Sequence, residues 1–196
     1  MIKSDLKLFS ILSFFMATMV ALSNFLVQFP VNYFGMQEIL TYGAFSYPVT
    51  FLITDLANRR FGKIIATKIV YIGFILGVFL TLYFSTNFSD LIAIRIVIGS
   101  GTAFLVAQLL DVQVFDKLRK KIWFIAPLVS SFVGSLIDTF LFFFIAFYNT
   151  DTPWVTLAAG DFTVKIFMAL VMLIPFRLLL GKIGDVAKYV DKRSFT

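Results

Sequence analysis

The chain has 196 residues, 60% of them hydrophobic, with 17 basic and 11 acidic side chains and a net charge of +6. A soluble domain of this size is about 45–50% apolar and about a quarter charged, so the composition excludes a water-facing globule and points to a single integral membrane domain over 1–196. The chain has no Cys and no His, which removes disulfides, thiol chemistry, thiolate metal sites and the commonest general base and metal ligand; no cofactor is expected.

Crossing about 30 Å of hydrocarbon takes about 20 mainly apolar helical residues. Six stretches meet this, at 8–29, 39–56, 64–85, 91–114, 122–148 and 154–180. They predict an all-α membrane protein of six transmembrane helices. Their apolar runs are continuous rather than alternating, which argues against a β-barrel.

The first stretch follows Lys3 and Lys7 but is longer than a signal-peptide core and lacks an Ala-x-Ala site, so it reads as retained. It carries Asn24 and Gln28 at i and i+4. The second contains Tyr47-Pro48, where the proline should kink the helix and free a backbone carbonyl, and it runs through Thr54 and Asp55 toward Arg59 and Arg60. The third holds Gly73 and Gly77, a spacing that reads as close helix packing. In the fourth, Arg95 can snorkel at the outer end. Gly99-Ser-Gly101 is no phosphate loop, because it lies inside an apolar run without the Lys-Ser/Thr context. Gln108, Asp111 and Phe115 share a face, and Asp111 lies six residues before Lys117. An end-of-helix salt bridge and an inward-facing role are both open for it.

The fifth stretch carries Asp138 beyond its middle, with no cation in the same helix. A lone carboxylate there costs about 2.5–3.5 kcal/mol on insertion scales, so it needs a cavity or a partner such as Lys165. Pro127, Ser131, Gly134, Ser135 and Asp138 form a small and polar stripe. In the sixth, Lys165 lies about 16 Å along the helix, close to the midplane, with Asp161 at i−4 in the favourable acid-first order. The pair either neutralises itself inside the membrane or lines a polar cavity that binds or gates; Arg177 can snorkel. The likeness of 108–115 to 135–142 is too short to mark a repeat.

Fourteen of the 17 cations fall at the N-terminus, in the second-to-third and fourth-to-fifth connections, and in the tail; the other three connections hold none. Both termini are therefore expected in the cytoplasm. The positive charge is a topology signal, so no nucleic-acid partner is expected. The connections are only about 5 to 10 residues long, so the work must be done among the helices. Polar groups on five helices, ringed by Phe and Tyr, suit a cavity for a small, flat, polar molecule.

The chain resembles the queuosine precursor transporter family, also called the vitamin uptake transporter family. The residues are Ser23 to Val31, Gly43-Ala44-Phe45-Ser46-Tyr47-Pro48 into Thr54-Asp55-Leu56, Gln108-x-x-Asp111-Val112-x-Val114-Phe115, Leu118-Arg119, Ala126-Pro127, Asp138-Thr139 and Lys165. It departs from many relatives in having Asn58-Arg59-Arg60-Phe61-Gly62 where they read Asn-Glu-x-Tyr-Gly. It also has Gly134-Ser135 where some branches read Ser-Gln. The resemblance implies uptake of 7-deazaguanine bases, such as 7-cyano-7-deazaguanine and 7-aminomethyl-7-deazaguanine, across a bacterial inner membrane to supply tRNA queuosine modification. A carboxylate can accept hydrogen bonds from the adjacent N–H and NH₂ of such a base, amides can meet its other edge and aromatic rings its face. Asp138 is the expected grip, with Asp111, Gln108, Asn24, Gln28, Asp55, Tyr47 and Ser135 lining the path and Asp161 with Lys165 as a gating or charge pair. The expected partners are this small molecule and the lipid bilayer, with a homo-oligomer left open.

Two other functions compete. One is the substrate-binding subunit of an energy-coupling-factor importer, for which Ala17-x-x-x-Ala21 would be a docking motif. The other is an Asp-based membrane enzyme using Asp111 and Asp138, which their unequal depths argue against, since such a dyad needs carboxyls in contact. The expectation is no enzyme.

Overall fold

The computed structural model describes residues 3–26, 29–33, 40–84 and 91–183. Gln28, the tail cations beyond residue 183 and the connections at 34–39 and 85–90 lie outside the described residues. The described chain is all helical apart from one backbone bridge: α1 (Lys3–Leu26), α2 (Gly43–Ser46), α3 (Pro48–Phe61), α4 (Lys63–Phe84), α5 (Leu91–Leu118), α6 (Ile125–Phe147) and α7 (Trp154–Ile183).

Five of these, α1, α4, α5, α6 and α7, are long and apolar enough to cross a membrane. The second expected span corrects to something else. In place of one helix over 39–56 there is the four-residue α2, a break at Tyr47–Pro48, and α3 reaching on to Phe61. Pro48 has no N–H for the Ala44 carbonyl, so the helix is interrupted where the sequence placed a kink. Tyr47 N–H still reaches the Gly43 carbonyl at 3.0 Å, and both the N–H and the hydroxyl of Thr50 turn back to the Tyr47 carbonyl.

α3 is short and polar because it is not a lipid-facing helix. It packs against every other element and buries Thr50, Thr54, Asp55 and Asn58 along with Phe51, Ile53 and Leu56. The long helices form the wall around it: α5 lies along α6, α1 along α4, and α6 along α7. Their outer faces are apolar, with Phe14, Phe79, Phe167 and Leu178 exposed, as expected for side chains that meet lipid. A single residue, Gly62, joins α3 to α4 at φ 84°, a backbone angle that favours glycine.

α1 meets α4 through glycine. A Cβ on Gly73 or Gly77 would run into Met16 or Val20, so the Gly-x-x-x-Gly spacing serves packing within the chain. The same contact buries Ala17, which the docking motif of the importer reading would need at the surface. Arg95 goes further than snorkelling. It donates to the Ile145 carbonyl at 3.0 Å and the Tyr148 carbonyl at 2.8 Å, closing the C-terminal end of α6. Arg177 lies over the Trp123 ring at 5.0 Å.

Candidate functional site

α2–α3, α6 and α7 carry small and polar residues on the faces they turn to one another, and two cavities lie between them. The first, a part-open cleft, is lined by Asn24 and Ser100, by Tyr47, by Asp138 and Phe142, and by Asp161 and Lys165. The second, much narrower, is lined by Pro48, Phe51 and Asp55, by Pro127, Ser131 and Ser135, and by Ala169 and Phe176 of α7. Each of the three elements passes one cavity and then the other, and along α2–α3 the change falls at Tyr47–Pro48.

In the first cavity Lys165 sits at the centre of a charge cluster. Its ammonium donates to Asp138 Oδ2 at 2.8 Å, to Asp161 Oδ2 at 2.5 Å and to Thr139 Oγ1 at 3.2 Å. Thr139 in turn donates to Asp161 Oδ2 at 2.8 Å, and the Tyr47 ring faces the ammonium at 5.3 Å. One Lys between two carboxylates leaves the cluster formally one negative charge in excess. Asp138 Oδ1 is buried without a hydrogen-bond partner among the described residues, and the Tyr47 hydroxyl adjoins the Asp138 carboxylate. Asn24 Oδ1 accepts from Ser100 Oγ at 3.1 Å, and the bridge of Pro30 with Thr41 brings Thr41 to the rim.

A second polar cluster surrounds the second cavity. Asp55 accepts from Ser130 Oγ at 3.1 Å and from Ser131 Oγ at 3.5 Å, and its carboxyl adjoins that of Asp111. Gln108 is consumed by α3: its amide donates to Thr50 Oγ1 at 2.8 Å and its carbonyl accepts from Thr54 Oγ1 at 2.5 Å. Asp111 and Gln108 are fully buried and line neither of these two cavities. The salt bridge of Asp111 with Lys117 is not formed; Lys117 is exposed and Asp111 turns to α3 instead.

The structure therefore brings Asn24, Tyr47, Asp138, Asp161 and Lys165 to one cavity and Asp55 and Ser135 to the other, while Gln28 lies outside the described residues. Three contributors were not among the expected site residues. Thr139 ties Lys165 to Asp161. Ser130 holds Asp55. Asn58 donates to the Val112 carbonyl at 2.8 Å and accepts from Arg119. The signal for Asn58 was present, since Thr50, Thr54 and Asn58 recur every four residues down one face of α3.

A helical bundle that is apolar outside and polar within, with cavities between its helices, defines a multi-pass membrane protein. Residues 41–180 match the family model described as "Putative vitamin uptake transporter". The chain is 35% identical to the "Probable queuosine precursor transporter" of Haemophilus influenzae, over 84% of this chain and 82% of that protein. It is 33% identical to the "Queuosine precursor transporter" of Escherichia coli K12, over 89% of each. A third relative, from Bacillus subtilis 168, is 29% identical over 77% of this chain and 75% of its own length. No solved structure matches the chain. The chain belongs to the queuosine precursor (vitamin uptake) transporter family.

Proposed function

We propose that the chain imports queuosine precursors, 7-deazaguanine bases such as 7-cyano-7-deazaguanine and 7-aminomethyl-7-deazaguanine, across the bacterial inner membrane for tRNA queuosine modification. The observation that carries this reading is the unpartnered Asp138 Oδ1 beside a cavity that also offers an amide and two aromatic rings. A guanine-like edge presents an N–H beside an NH₂, which matches a carboxylate acceptor. Lys165 holds the other Asp138 oxygen and so fixes the carboxylate plane. Tyr47 and Phe142 offer faces for the flat ring, and Asn24 meets its remaining polar edge.

In this reading both termini face the cytoplasm. The Asp138 cavity lies toward the outer side and the Asp55 cavity toward the cytoplasm. Asp161 and Lys165 are the charge pair that opens and closes around the base, and Ser135 lies on the path between the cavities. The break at Tyr47–Pro48 is where α2 and α3 can tilt independently, so that one cavity closes as the other opens. The test is uptake of labelled 7-cyano-7-deazaguanine by cells unable to make it: wild-type protein restores uptake, and Asp138→Asn does not.

A further inference from the structure

The Asp55–Asp111 pair takes no part in the proposed grip on the base, yet two buried carboxyl groups side by side are costly. Two carboxyl groups, 2% and 0% exposed, face each other between α3 and α5, in a register set by Thr50 and Thr54 on Gln108 and by Asn58 on the Val112 carbonyl. Both Asp111 oxygens lack a hydrogen-bond partner among the described residues. So does Ser135 Oγ, which is 1% exposed and lines the same cavity as Asp55.

The cations of the neighbouring helices are engaged elsewhere. From α7, Lys165 is held by Asp138 and Asp161, and Arg177 lies over Trp123. From α3 itself, Arg60 pairs with Asp5 of α1 and Arg59 donates to the Arg119 carbonyl. Arg119 binds Asp116 and Asn58, and Lys117 on α5 and Lys63 and Lys68 on α4 are exposed. α6 supplies only the hydroxyls of Ser130 and Ser131. α4 meets α3 through Ala66, Ile69 and Val70, and α2 carries no charge. Two carboxylates in contact away from water cannot both stay ionised without a cation between them. The smallest cation that lets two carboxyl groups adjoin directly is a proton, shared as a carboxyl–carboxylate hydrogen bond.

We propose that Asp55 and Asp111 form a proton-binding site that couples precursor uptake to proton entry. The proposal rests on the transporter reading above. Asp55 faces its cavity and gains or loses the proton there, while Asp111, which lines neither cavity, keeps it in a hydrogen bond. The site lies about 10 Å from the Asp138 grip, by the seven-residue rise from Ser131 to Asp138. It belongs to the same helix, α3, that begins at the Pro48 break. With the proton bound, the pair carries one negative charge in place of two, and the shared hydrogen bond holds α3 against α5. When the proton leaves, the two carboxylates repel and α3 parts from α5.

Purified protein in proteoliposomes tests this, with labelled 7-cyano-7-deazaguanine as the probe and the membrane potential clamped at zero. One proton per base predicts about tenfold accumulation in a gradient of one pH unit, acidic outside. Asp111→Asn should still exchange labelled for unlabelled base across the membrane but accumulate none above equilibrium. Gradient-driven accumulation retained by Asp111→Asn, or a wild-type protein that answers only to a sodium gradient, would overturn the proposal. A wild-type protein that exchanges no base removes the transporter reading, and the coupling with it. If Asp111→Asn does not assemble, dicyclohexylcarbodiimide on the wild-type protein decides. Modification of Asp55 or Asp111 that declines as pH rises supports a protonated pair, and modification of neither contradicts it.

Discussion

The ammonium of Lys165 donates to Asp138 Oδ2 at 2.8 Å across the contact between α6 and α7. Each of these charges would be costly alone in the membrane, and each makes the other tolerable. Asp161, one turn before Lys165, supplies a second acceptor at 2.5 Å, so the cation is over-matched, and Asp138 Oδ1 has no hydrogen-bond partner among the described residues.

Removing the cation should therefore cost more than removing either acid. Lys165→Met leaves two adjoining carboxylates with no counter-charge, a loss of about 3–5 kcal/mol. Thermal unfolding in detergent should show a lower midpoint for Lys165→Met than for Asp161→Asn. An unchanged midpoint for Lys165→Met would mean that the pair contributes nothing to holding α6 against α7.

Glycine at the α1–α4 contact gives a prediction with an internal control. Gly77→Ala would press a methyl group into the Val20 side chain, and overpacking of this kind costs about 1–3 kcal/mol. Gly181→Ala in α7 has nothing within 4 Å of the added atom and should stabilise by about 0.5–1 kcal/mol. Unfolding midpoints should move in opposite directions for the two variants; equal shifts would contradict the close approach of α1 and α4.

The absence of cysteine makes topology directly measurable. Single cysteines introduced by Asp151→Cys and Lys120→Cys should label differently with a membrane-impermeant maleimide on whole cells. Position 151 should react from outside and position 120 only after the membrane is opened. The reverse pattern would invert the assignment of the two cavities to the two sides.

Much of this was legible in the chain, for reasons that differ by residue. The long apolar runs gave α1, α4, α5, α6 and α7, because hydrocarbon demands length and continuity whatever the packing. Lys165 with Asp161 was legible because i and i+4 are neighbours on any helix, and Asp138 because a lone acid inside an apolar run needs an explanation. The second span was misjudged at both ends. The start of the expected span looked helical, yet Thr41 lies in a backbone bridge with Pro30, and the polar run after Leu56 continues as helix because six other elements surround α3. The Asp55–Asp111 contact was invisible, since two acids 56 positions apart on different helices meet only through the packing of α3 on α5. Local spacing leaves Lys117 and an inward-facing role both open for Asp111, and burial against α3 decides between them.

If Asp138 holds a 7-deazaguanine base for carriage across the membrane, its substitution should weaken the handling of that base. The most direct measurement is exchange of labelled 7-cyano-7-deazaguanine in proteoliposomes holding wild-type protein or Asp138→Asn. Loss of one charge-assisted acceptor is worth about 1.5–3 kcal/mol, so the variant should need about 10- to 100-fold more base to reach the same rate. Equal rates at equal concentrations, in a variant with a wild-type unfolding midpoint, would contradict the claim.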